Sequence, residues 1–224
     1  MYRSPIAERI LAEHLLNHGA VSFLTEQPMR LKSGLITPIY VDNRLLCSYP
    51  ASWRDIIETL ISTIDRLHLE FDVIAGMEGA GVSHAAALAY RLGKPHVFIR
   101  RSPKTWGNHS CIEGANIKGQ RVLIIEDHLS TGISLLSAID AVREEGGIVS
   151  DALAITSFGI PETLKLLDEK HVECHEAVDF SNVLTVAQEL NMITAEQREK
   201  LADWLAHPWS WAARHGLVAN AIEN

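Results

Sequence analysis

The chain has 224 residues and a mass of 24.8 kDa, enough to bury about 70% of the surface its unfolded form would expose. Its 47% hydrophobic and 21% charged fractions, with 14 Gly and 8 Pro, exclude collagen-like, low-complexity and wholly disordered chains. The formal charge of -8 argues against a general nucleic-acid binder, so an anionic ligand has to be met by a local cluster of cations. No apolar run approaches the ~20 residues of a membrane span, and MYRSPIAERI lacks the apolar centre of a signal peptide. The expectation is a soluble, cytoplasmic protein with no membrane partner. Cys47, Cys111 and Cys174 are odd in number and far apart, which argues against both a disulfide framework and a zinc site.

In chain order, Ser4-Pro5 opens a helical pattern (Ile6, Ile10, Leu11, Leu15) that stops at Gly19, with a hydroxyl cap before it and glycine beyond it. Residues 29–42 read as two short strands around the turn Ser33-Gly34. Ile56, Ile57, Leu60, Ile61, Ile64 and Leu67 then mark an amphipathic helix. From Phe71 onward short apolar runs alternate with helical patterns: 72–75 then 82–92, 96–99, 122–125 then 135–143, and 148–157 then 162–167. Continuous apolar strands separated by helices predict a parallel sheet covered on both faces, hence an α/β fold. Thr194-Ala-Glu-Gln197 is a capping box opening a helix toward Trp204, and Trp209 and Trp211 are expected to pack on the domain or on a partner. One domain is expected over 1–224.

The segment Val122-Leu-Ile-Ile-Glu126-Asp127-His-Leu129-Ser130-Thr131-Gly132-Ile-Ser134 carries the chemistry. Its loop can turn backbone N–H groups and hydroxyls onto a phosphate, with a helix N-terminus behind them. It lacks the G-x-x-x-x-G-K-[ST] pattern and so is not a nucleoside-triphosphate loop. Adjacent carboxylates would repel that phosphate unless they face sugar hydroxyls, a developing cation or a metal. A ribose phosphate satisfies both halves.

This segment resembles the phosphoribosyl-pyrophosphate (PRPP) motif of type I phosphoribosyltransferases. Leu31-Lys32-Ser33-Gly34 with Pro38-Ile-Tyr40-Val-Asp42, Gly76 to Gly81, Gly93 to Arg100, Pro103-Lys104, Gly107, Ile112-Glu113-Gly114 and Phe158-Gly-Ile-Pro161 extend the resemblance to the orotate phosphoribosyltransferases over residues 5–209. The resemblance implies a central parallel sheet flanked by helices, with a small N-terminal hood at about 1–45, a PRPP-binding core at 71–160 and a C-terminal helical extension at 180–224. It implies transfer of the phosphoribosyl group from PRPP to orotate, yielding orotidine 5'-monophosphate and pyrophosphate. Leu129, Ser130, Thr131, Gly132 and Ser134 would hold PRPP, and Glu126 and Asp127 would meet the ribose hydroxyls. Lys32, Arg100 and Lys104 would meet the pyrophosphate, with Lys104, Glu126 and Asp127 as the catalytic groups. Ser130 and Lys32 would contact orotate. Mg2+ would arrive on PRPP without direct protein ligands, and a homodimer would share a lid at 101–117 across its interface.

Three positions depart from the pattern. The family's loop reads Pro-Lys-Asp-His-Gly where this chain has Pro103-Lys104-Thr105-Trp106-Gly107. Indole has one N–H and cannot become cationic. The change implies slower turnover, with His109 a substitute in reach, or a PRPP-binding regulator, or transfer to another base. His128 replaces an apolar residue, and Glu78 places an acid near the pyrophosphate. Gly76-Met-Glu-Gly79-Ala-Gly81 does not match the dinucleotide order G-x-G-x-x-G. His171-Val-Glu-Cys-His175 would put His, Glu and His on one strand face, which reads as an ordinary polar exterior and not as a metal site, since no fourth ligand stands nearby in the sequence.

Overall fold

The computed structural model describes residues 5–102, 110–218 and 221–223. Helix α1 (Pro5–Asn17) leads to four short strands, β1 (Val21–Phe23), β2 (Met29–Arg30), β3 (Ile36–Thr37) and β4 (Ile39–Val41), then a 3-10 turn at Asn43–Ser48 and helix α2 (Pro50–Leu67). The alternating core follows: β5 (Val73–Met77), α3 (Gly81–Leu92), β6 (His96–Ile99), β7 (Ile112–Glu113), β8 (Val122–Leu129), α4 (Ile133–Glu144), β9 (Asp151–Ser157), α5 (Pro161–Glu169) and β10 (Glu173–Asp179). Helices α6 (Phe180–Glu189), α7 (Ala195–Ala206) and α8 (Pro208–Arg214) and strand β11 (Ile222–Glu223) complete it.

The main sheet has six strands in the order β10-β9-β8-β5-β6-β7. Five run parallel, and β7 pairs antiparallel with β6. Side chains alternate between two buried clusters, as strand geometry requires. Ile74, Leu123, Ile125, Leu153 and Ile155 join the helical layer that includes α1, α2, α3 and α6. Val73, Ala75, Ile124, Ala152 and Ala154 face Leu135, Ala138, Ile139 and Val142 of α4. This is why the strands read as unbroken apolar runs.

The chain leaves β5 toward β6 and β7 on one side, then returns through β8 to β9 and β10 on the other. The order therefore reverses between β5 and β8, and a crevice opens at their carboxyl ends, where ligands bind in open α/β sheets. Glycines allow α3 to lie close to this point. A Cβ at Gly76 would stand 2.7 Å from both Ala85 Cβ and Val82 Cα, and one at Gly81 would stand 2.5 Å from the Ile125 carbonyl. These glycines serve helix-on-sheet packing.

The N-terminal strands form separate small sheets, β1 with β4 and β2 with β3, and β11 adds itself parallel to β2. The indole N–H of buried Trp204 donates to the Ile36 carbonyl at 2.9 Å, and that of buried Trp211 to Lys200 at 3.0 Å. Trp209 is half exposed. The capping box at Thr194 and Gln197 is formed from both sides, whereas Ser4 lies outside the described residues. His171 adopts a left-handed φ of 54° ahead of β10, so it does not share a strand face with Glu173 and His175. His175 instead pairs with Asp151 at 2.9 Å.

Candidate active site

Strand β8 runs past the predicted end at Ile125 to Leu129, so Glu126 and Asp127 are held in regular strand and not on a loop. Gly132 turns the chain into α4 with φ 74°, and no side chain caps that helix. The first N–H groups of a 12-residue helix are thereby left for a ligand. Glu126, His128, Leu129, Ser130, Thr131, Gly132, Ile133, Ser134 and Leu135 line a recess of about 70 Å³. The loop is pinned on its far side. Thr163 Oγ1 donates to the Ser130 carbonyl at 3.0 Å, and the Phe158 amide donates to the Leu129 carbonyl at 3.0 Å.

Desolvation, reinforced by the charge of Asp127 beside it, pushes the Glu126 carboxyl well above the usual carboxylate range. Burial also raises Asp127. The pair resists carrying two charges, and Glu126 Oε2 is buried with no hydrogen-bond partner. A buried acceptor in that state lacks a donor, and sugar hydroxyls are such donors.

The His128 ring has partners of its own. Its Nδ1 meets Thr156 Oγ1 at 2.8 Å, and its ring packs edge-on to Phe158 at 4.2 Å. Burial lowers the imidazole to about 3, so it is neutral and belongs to an aromatic group with Phe158, Phe180 and Trp204.

The predicted cations are placed unevenly. Lys32 sits exposed in the turn between β2 and β3. Arg100 donates from Nη1 to Glu113 Oε1 at 3.0 Å and from Nε to the Ser102 carbonyl at 3.3 Å, which ties it to the β6–β7 edge. Lys104, Trp106 and His109 lie outside the described residues. The predicted lid at 101–117 includes β7, so part of it is sheet.

Arg101 was not singled out by sequence reasoning. Its guanidinium lies 3.1 Å from where a Gly79 Cβ would stand, and its charge favours the ionised form of Glu126. Glu78 explains its position: its Oε2 accepts the Arg101 backbone N–H at 2.7 Å, so the acid shapes the cationic corner. Among the described residues, no group of three or more His, Cys, Asp or Glu could hold a metal by itself.

Residues 48–188 match the phosphoribosyl transferase domain family. The chain is 39% identical over 201 residues to an orotate phosphoribosyltransferase of Coxiella burnetii, covering 90% of this chain and 96% of that protein. It is 40% identical over 201 residues to one from Bacillus pumilus, covering 89% and 94%. Among solved structures it is similar to Leishmania donovani UMP synthase, at a TM-score of 0.79 and 29% identity, covering 89% of this chain and 42% of that one. It is also similar to orotate phosphoribosyltransferase from Aeropyrum pernix, at a TM-score of 0.68 and 27% identity, covering 81% and 99%. Alike over nine-tenths of its length to curated relatives of that name, the chain belongs to the orotate phosphoribosyltransferase family.

Proposed function

We propose that the chain transfers the phosphoribosyl group of PRPP to orotate, forming orotidine 5'-monophosphate and pyrophosphate in pyrimidine nucleotide synthesis. The observation that carries this reading is the buried Glu126–Asp127 pair, with the unsatisfied Glu126 Oε2, beside an uncapped helix N-terminus in a chain of this family. Ser130, Thr131, Gly132 and Ser134 receive the 5'-phosphate, with Leu129 forming the floor. Glu126 and Asp127 accept the ribose hydroxyls and favour the positive charge that develops at the anomeric carbon as pyrophosphate leaves. Lys32, Arg100 and Lys104 receive the pyrophosphate, and Ser130 and Lys32 contact orotate. Lys104, Glu126 and Asp127 act at the reacting centre.

Mg2+, bound with PRPP, supplies charge neutralisation to the departing diphosphate. In this reading residues 1–224 are one unit, with a hood at about 1–45, a PRPP core at 71–160 and a helical extension at 180–224. It works in the cytoplasm as a homodimer sharing the loop around Lys104. Relatives alike over most of the chain are named as enzymes, so a purely regulatory role is not favoured. Orotate absorbance should fall when PRPP and Mg2+ are added. Tight PRPP binding without orotate consumption would overturn the reading.

A further inference from the structure

Asn43 is fully buried at the start of the 3-10 turn that follows the hood. Its Nδ2 donates to the Asp127 carbonyl at 2.7 Å and to Thr156 Oγ1 at 3.2 Å. Thr156 is itself fully buried, and its hydroxyl meets His128 Nδ1 at 2.8 Å. One amide thus reaches two strands, 84 and 113 residues away. The contact falls where β8 most lacks support. Strand β5 pairs with β8 only as far as Ile125, while β9 continues beside it to Leu129.

A second buried pair backs Asn43. Trp53 Nε1 donates to His84 Nδ1 at 3.0 Å. Because indole only donates, His84 accepts there and carries its proton on Nε2, which is buried with no hydrogen-bond partner. Asn43 Oδ1, His84 Nε2 and His128 Nε2 are buried without a hydrogen-bond partner, a cost carried by a network whose bonds fix one arrangement. A structural tie of the hood alone would need no contact with the residue bearing a carboxylate at the sugar. A donor aimed at that residue's own carbonyl sets the direction in which its side chain leaves the strand.

We propose that Asn43 is a positioning residue for the transfer: through the Asp127 carbonyl and the Thr156 hydroxyl it holds the Glu126–Asp127 pair toward the sugar and keeps the His128 ring on Thr156. The proposal rests on the function given above. Wild-type orotate consumption tests that function first, and the variants then test the positioning.

Removing the amide in Asn43→Ala should lower kcat by about 10- to 100-fold, the scale for a small misplacement of reacting groups, with KM for orotate within about threefold of wild type. Thr156→Val should lower kcat in the same direction and Thr156→Ser should restore it. The double variant Asn43→Ala/Thr156→Val should lose less than the product of the single losses, because both break one network. A folded Asn43→Ala enzyme with wild-type kcat overturns the proposal. So does a loss confined to KM for orotate, which would make Asn43 a tie for the hood alone. Should Asn43→Ala not fold, the Thr156 pair decides: equal kcat in Thr156→Val and Thr156→Ser overturns it. If the wild type consumes no orotate, PRPP titration of the same variants reads the positioning, with unchanged PRPP affinity in Asn43→Ala as the overturning result.

Discussion

Gly132 lies directly beneath Thr163: a Cβ on Gly132 would stand 2.7 Å from Thr163 Cγ2, at a backbone φ of 74°. The turn that presents the helix N-terminus therefore depends on a missing side chain for both conformation and space. Gly132→Ala should destabilise the fold by about 1–2 kcal/mol from the left-handed backbone alone, and moving Thr163 would add to that. PRPP affinity should drop about tenfold, or 1.4 kcal/mol. Chemical denaturation and calorimetric titration of PRPP read the two effects separately.

Glu126 has its carboxyl raised by burial and by Asp127. The folded state then holds a proton that the unfolded chain has released, so the protein loses stability as pH rises from the ordinary value of 4.5. Glu126→Gln should remove that part of the slope. Its denaturation midpoint at pH 7.5 should lie above wild type, while turnover falls sharply. A variant less stable than wild type at pH 7.5 and equally pH-dependent would contradict the assignment.

Arg100 is occupied by Glu113, whereas Arg101 lies beside Gly79 and favours ionised Glu126. Arg101→Ala should therefore cost more in kcat/KM for PRPP than Arg100→Ala, by about 10²-fold against wild type. Steady-state kinetics with PRPP as the varied substrate ranks the two.

At position 106 the chain carries Trp where the family's loop has His. An imidazole can donate charge to the departing diphosphate and an indole cannot. Trp106→His should raise kcat about tenfold or more. Equal rates in rapid-mix assays would show that pyrophosphate departure does not depend on this residue.

Much of the core was legible because burial on both faces leaves its strands as apolar runs, as in Ile124, Ile125, Leu153 and Ile155. The strand, turn and helix from Val122 to Glu144 were legible because their residue types follow one another in the chain. Strands β1 and β7 were not, since two or three residues carry no periodicity. Asn43 was not legible either: a polar residue beside Asp42 reads as loop, and only tertiary pairing with Asp127 and Thr156 buries it. His128 looked like an oddity in the motif for the same reason, its partners being Thr156 and Phe158. Arg101 was overshadowed by Arg100, and nothing in their spacing tells which of two neighbouring arginines the sheet edge will claim.

The bond from Trp204 to the Ile36 carbonyl fastens segments 168 residues apart. The hairpin bearing Lys32 is thus braced from behind by α7, and β11 clasps the same hairpin at Met29 and Arg30. A protease cut between α7 and α8 would free the β11 clasp and loosen the Lys32 hairpin, while the turn carried by β8 and α4 kept its shape.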